Sequence, residues 1–341
     1  MAETVLVTGG TGFVGAHIIL QLLQKDYNVK TTLRSISSTS KLMDTLKSNG
    51  ITNFNKLAFV EADLSKDDHW DEAMKGCDYV LSVASPVFMT IPKDEEAAMR
   101  PAVEGVIRVL KAARNANVKR VVMTSNFGAV GFSNKNSNHA TTEADWTDPN
   151  ENGLSTYEKS KLLAERAAWD FIKHEGGNLE FCTINPVAIF GPPLSAHVSG
   201  SFVLFDLIFS GKPIPKLPLN IVDVRDVADL HIRAMTNPDA NGQRFIASAD
   251  GQISLPEIAA LIKNKKSDVA KKISSIRIPN WVVFSAALFN KQLKEAALFL
   301  RVSRNVSNSK AKKMLGWKPI ATTEETVLAS INSMIRFGII K

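Results

Sequence analysis

The chain has 341 residues, which suits one large domain or two intimate ones at roughly 100–200 residues per domain. Hydrophobic residues make up 45% and charged residues 22%, the balance of a soluble globular protein, and no apolar run reaches the roughly 18 residues that a membrane span needs. The net charge of +7 is scattered, with its densest groups at 263–266 and 310–313, so it reads as solvated helix faces and excludes a clustered nucleic-acid surface.

In chain order, residues 4–8 (TVLVT) read as a buried strand and 12–25 as the helix after it. Residues 28–33, 57–61, 79–83 and 120–124 are further strand candidates, and 41–49, 96–115 and 155–174 carry helical spacing. Strand–helix alternation, with strands apolar on both faces, predicts an α/β Rossmann fold with a doubly wound parallel sheet. Beyond about residue 185 the rhythm changes. Prolines crowd 186–193 and 213–218, and only short strands are expected, near 221–223 and 244–247. We therefore expect a dinucleotide-binding domain over residues 1–185 and a smaller, mostly helical substrate lobe over 186–341. No low-complexity linker divides them, so the two are expected to interleave.

The first strand runs into Thr8-Gly9-Gly10-Thr11-Gly12-Phe13-Val14-Gly15. Glycines at 9, 12 and 15, between a buried strand and an amphipathic helix, allow a tight turn and a close backbone approach to a pyrophosphate. The helix N-terminus adds free N–H groups and a positive dipole end. The second strand closes on Leu33-Arg34-Ser35 with no carboxylate to bind a ribose 2′-hydroxyl. Arg34 has the donor fork for a 2′-phosphate, so NADP is expected ahead of NAD.

Tyr157 and Lys161 stand four residues apart on one predicted helix face. An ammonium near a phenol favours the phenolate, which makes the tyrosine a usable acid, and the lysine can also hold the nicotinamide ribose. The two cysteines, Cys77 and Cys182, show no metal-ligand spacing and fit a reducing compartment, with the cytosol as the default. His17 and His231 read as packing or surface residues, and no acidic or histidine cluster has metal spacing.

Together these residues resemble the extended short-chain dehydrogenase/reductase superfamily. Within it, the chain is similar to the branch of dihydroflavonol reductases, cinnamoyl-CoA reductases and yeast-type aldehyde and methylglyoxal reductases. The resemblance rests on the TGGTGFVG loop, Val83-Ala84-Ser85-Pro86, the Tyr157/Lys161 pair and Ala164-Glu165-Arg166-Ala167-Ala168-Trp169. Asn185-Pro186-Val187, Phe190-Gly191-Pro192, Asp223-Val224-Arg225-Asp226 and Leu315-Gly316-Trp317 extend it along the chain. It implies that Asp63 and Leu64 flank the adenine, that Ala84 and Ser85 line the path to the nicotinamide, and that Pro186 and Val187 support its carboxamide side. It implies a substrate pocket among Phe88, Phe127, Gly191 and Pro192.

One departure stands out. The family's fifth strand ends in Thr-Ser-Ser, and its second serine bonds the substrate carbonyl. Here the run is Thr124-Ser125-Asn126-Phe127. Either the Asn126 amide or the Ser125 hydroxyl can donate to a developing oxyanion. The expected activity is NADPH-dependent reduction of a small aldehyde or ketone by a monomer or homodimer. The alternatives are an NAD-dependent sugar-nucleotide epimerase or dehydratase, which shares the Tyr/Lys pair, and a non-catalytic dinucleotide-binding redox sensor. The dehydratases follow the serine column with an Asp-Glu pair where Asn126-Phe127 stands here, and the sensors usually lose the tyrosine.

Overall fold

Seven parallel strands make the central sheet: β1 (Thr4–Val7), β2 (Asn28–Leu33), β3 (Leu57–Glu61), β4 (Tyr79–Ser82), β5 (Arg120–Thr124), β6 (Glu180–Pro186) and β7 (Arg244–Ala247). The computed structural model describes residues 2–86 and 94–340; the proposed pocket residue Phe88 lies outside them. The strand order is β7-β6-β5-β4-β1-β2-β3. Successive side chains point to opposite faces, and both faces are covered. Val5, Val7, Leu81, Val122 and Cys182 turn to one side, where they join the apolar faces of α1 (Phe13–Gln24), α2 (Thr39–Lys47) and α5 (Val224–Thr236). Leu6, Val80, Val121, Met123 and Phe181 turn to the other, against Val106, Leu110, Ala164 and Ala168 of α3 (Glu95–Asn115) and α4 (Thr156–Glu175).

The expected fold is therefore present, and the strand order reverses between β1 and β4. In such sheets the crevice at the carboxyl ends of the strands, at that reversal, is where ligands bind. The glycine loop follows β1 there, and Val83–Ser85 follows β4. Thr8 ties the two together: its hydroxyl accepts the backbone N–H groups of Val83 and Ala84, both at 2.9 Å.

The later part of the chain supplies further helices, among them α6 (Lys291–Arg301) and α7 (Thr323–Arg336), and short strand pairs such as Ala188–Phe190 with Ile221–Asp223. Phe190, Phe202 and Phe205 form an aromatic knot, and Phe13 of the glycine loop packs edge-on against Phe202 at 5.6 Å. The edge strand β7 comes from this later part and pairs with β6, placing Asn185 beside Ile246. Among the described residues no helix is long and apolar enough to cross a membrane.

Candidate active site

The glycine loop is shaped by backbone needs. Gly9 adopts φ +71°, a conformation that favours glycine, and a side chain there would meet Ala84. At Gly15 a Cβ would stand 2.5 Å from the Gly9 carbonyl oxygen, so that position must stay bare. Gly12 differs: its Cβ would meet only the Gly9 oxygen, at 3.1 Å. Gly12 begins α1 with no side chain to cap it, and the first turn holds no acidic residue. The N–H groups of Phe13, Val14 and Gly15 are thus arranged as a helix N-terminus arranges them for an anion. A cavity at this point is lined by Thr11, Gly12, Phe13, Lys41 and His197. Lys41 and His197 carry no sequence signal of their own. His197 is pushed below the usual histidine range by burial and by the Lys41 charge. These features fit a dinucleotide pyrophosphate.

A second cavity is lined by Leu64, Ala84, Ser85, Thr124 and Lys161, which brings three residues expected at the cofactor onto the same space as the candidate lysine. Pro186 and Val187 are buried at the end of β6, where the Val187 N–H donates to the Ala247 carbonyl at 3.1 Å. Arg34 is exposed just beyond β2, and its charge helps hold the Asp63 carboxyl below the usual carboxylate range. The larger cause is Ser65, whose N–H and hydroxyl both donate to Asp63 at 2.8 Å.

Helix α4 carries the catalytic candidates. Ser155 caps it by accepting from the Glu158 N–H, so the helix begins one residue before Tyr157. Lys161 lies one turn further on, 5% exposed, and its Nζ donates to the Thr124 carbonyl at 3.2 Å. Burial pushes the lysine down to about 8, while the nearby Glu165 carboxylate opposes that fall. The sequence leads one to expect Tyr157 acidified by this lysine. Instead burial dominates, then the neighbouring Glu158, and the phenol is pushed up to about 12. The Asn126 side chain lies within hydrogen-bonding reach of that phenol and favours its ionised form. Glu158 is itself pushed up to about 8, by burial and by Glu295 of α6.

The structure separates the two donor candidates. The Asn126 Oδ1 accepts the Gly128 N–H, which leaves its amide N–H groups toward Tyr157. The Ser125 hydroxyl turns the other way and donates to the buried Glu165 carboxylate. Phe127, expected in the substrate pocket, is 3% exposed and packs edge-on against Phe132 at 5.9 Å. Gly191, at φ +110°, donates to Ser330 at 2.7 Å, and the Pro192 carbonyl faces the His17 ring at 2.9 Å. The buried His17 is pushed down to about 4, chiefly by burial.

Residues 6–249 match the 3-beta hydroxysteroid dehydrogenase/isomerase family. The chain belongs to that family. The ketoreductase AzaE of Aspergillus niger is 32% identical over 302 residues, covering 82% of this chain and 87% of that protein. Cinnamoyl-CoA reductase 1 of Arabidopsis thaliana is 35% identical over 256 residues, covering 72% of this chain and 71% of that protein. The crystal structure of Gre2 from Candida albicans in complex with NADPH superimposes with a TM-score of 0.81 at 29% identity, covering 98% of this chain and 99% of that one. The resemblance read from TGGTGFVG and the Tyr157/Lys161 pair therefore holds.

Proposed function

We propose that this chain is an NADPH-dependent carbonyl reductase that converts an aldehyde or ketone to an alcohol, with Tyr157 as the proton donor. The observation that carries this reading is the meeting of Tyr157, Asn126 and Lys161 at the carboxyl ends of the strands, beside a glycine loop built for a pyrophosphate. The reductase names and the NADPH complex among its relatives agree with it.

When bound, the reduced nicotinamide supplies the hydride that adds to the carbonyl carbon. The chain's own groups manage the charge that grows on the oxygen. The Asn126 amide donates to that oxygen as an oxyanion donor. Tyr157 then passes it the phenolic proton. At about 12 the phenol is fully protonated at neutral pH, and an alkoxide is a strong enough base to take the proton. Lys161 holds the ribose and offsets the phenolate left behind. Arg34, with no carboxylate at the end of β2, supports a 2′-phosphate and hence NADPH over NADH. Two buried, unpaired thiols fit work in the cytosol.

The test is single-turnover oxidation of NADPH at saturating aldehyde. Tyr157→Phe removes the proton and keeps the ring. It is expected to fold, to bind NADPH nearly as before, and to lose at least about 10²-fold in rate. A rate within a few-fold of the unaltered protein removes Tyr157 from the chemistry.

A further inference from the structure

We propose that Glu165 is a positioning residue for this reaction: its buried carboxylate locks the segment that carries Asn126 and sustains the charge of Lys161. The inference rests on the roles given above to Tyr157, Asn126 and Lys161.

Glu165 lies on α4 one turn beyond Lys161 and is 0% exposed. A carboxylate removed from water is tolerated only when charge and donors surround it. Glu165 has five donors. Its Oε1 accepts from Arg244 Nε at 2.7 Å, Trp169 Nε1 at 3.2 Å and the Thr183 hydroxyl at 3.3 Å. Its Oε2 accepts from Asn185 Nδ2 at 2.7 Å and from the Ser125 hydroxyl.

A purely architectural pair, pinning β7 to the sheet, requires only the first oxygen. Arg244 is also held without Glu165: it donates to the carbonyls of Glu143 and Asp145 and stacks on the Trp146 ring at 3.8 Å. The second oxygen faces the chemistry. Ser125 precedes Asn126 directly, and the Asn185 amide that binds Glu165 also donates to the Asn126 carbonyl at 3.4 Å. One carboxylate thus fixes Asn126 from two directions while its charge favours the ammonium of Lys161. Trp169 belongs to α4 itself, but Ser125 follows β5, Thr183 and Asn185 lie in β6 and Arg244 opens β7, so the helix bearing Tyr157 is held in register with all three strands.

The experiment compares Glu165→Gln with the unaltered protein in two readouts: the pH profile of turnover, and NADPH affinity measured by calorimetry on either side of neutrality. We expect turnover to fall by about tenfold or more, as misplaced catalytic groups do. We expect the alkaline limb of the profile to move to lower pH, and NADPH binding to weaken most on the alkaline side. A folded Glu165→Gln protein with turnover within twofold and an unmoved limb overturns the proposal. Arg244→Gln removes the ion pair but keeps the carboxylate; it is expected to lower thermal stability without moving the limb to lower pH. If it moves the limb as Glu165→Gln does, general loosening explains both and the proposal fails. Should Glu165→Gln not fold, Asn185→Ala carries the test by removing the amide that joins Glu165 to Asn126 while leaving the carboxylate in place: reduced turnover at unchanged NADPH affinity supports the proposal, and unchanged turnover overturns it. Full activity of Tyr157→Phe sinks the reductase mechanism instead, so the two failures are distinguishable.

Discussion

The two ends of the crevice are built on opposite plans. At the end proposed for the nicotinamide Lys161, Ser125 and Glu165 are buried, and their hydrogen bonds tie them to one another and to residues of β5, β6 and β7. At the end proposed for the adenine Arg34 is exposed on the loop after β2, and Asp63 is engaged in a local turn with Ser65. The difference follows the task. A proton and an oxyanion must be met by groups already in place, in surroundings that exclude water. Choosing between a phosphate and a hydroxyl needs only one charged fork, which works at a surface.

Four measurements break or sharpen that contrast. The largest effect is expected from Gly12→Val, at the joint between the two ends. A Cβ there meets only one backbone oxygen at 3.1 Å, so the protein should fold, yet the branched side chain occupies the phosphate approach. Calorimetry should find no dinucleotide binding, and wild-type affinity would remove the loop from the cofactor site. Next comes Asn126→Ala, with a rate loss of roughly 10²–10³. Asn126→Ser should retain much of the activity. If Ser125→Ala is the more damaging change, the donor has been misassigned. Arg34→Ala should weaken NADPH roughly tenfold to a hundredfold and leave NADH almost untouched; equal losses would show that Arg34 does not read the 2′-phosphate. The smallest effect is one of pH. The Lys161 ammonium is present below about pH 8 and lost above it, so turnover should be level below that point and fall, approaching tenfold per pH unit, above it. A profile flat through that range would detach Lys161 from the chemistry.

Much of this was legible in the residues themselves. Strands β2, β3 and β5 occur over the runs read from the sequence: β3 and β5 are short, mainly apolar stretches, and β2 is rich in β-branched valine and threonine. Strand β6 carried no such mark. Thr183 and Asn185 interrupt its apolar run, and the structure gives the reason: both donate to Glu165, so polarity that looks wrong for a buried strand is satisfied across the sheet. For the same reason no spacing points to Arg244, which meets Glu165 from 79 positions along the chain. Tyr157 and Lys161 were visible because one helical turn relates them. The rise in the Tyr157 pKa was not, since it comes from the depth of burial and from Glu158, whose own partner Glu295 lies on a distant helix. The choice between Ser125 and Asn126 likewise awaited the direction in which each side chain turns.

The position of β7 bears on the order in which the molecule can be made. This strand completes the sheet beside β6, yet it is synthesised only after the whole segment from Val187 to Gln243 has left the ribosome. Until then β6 presents a bare edge, a template for unwanted pairing between chains. During the same interval the Glu165 carboxylate lacks the guanidinium that neutralises it. The first 186 residues therefore complete their sheet only when a strand from the later part of the chain arrives.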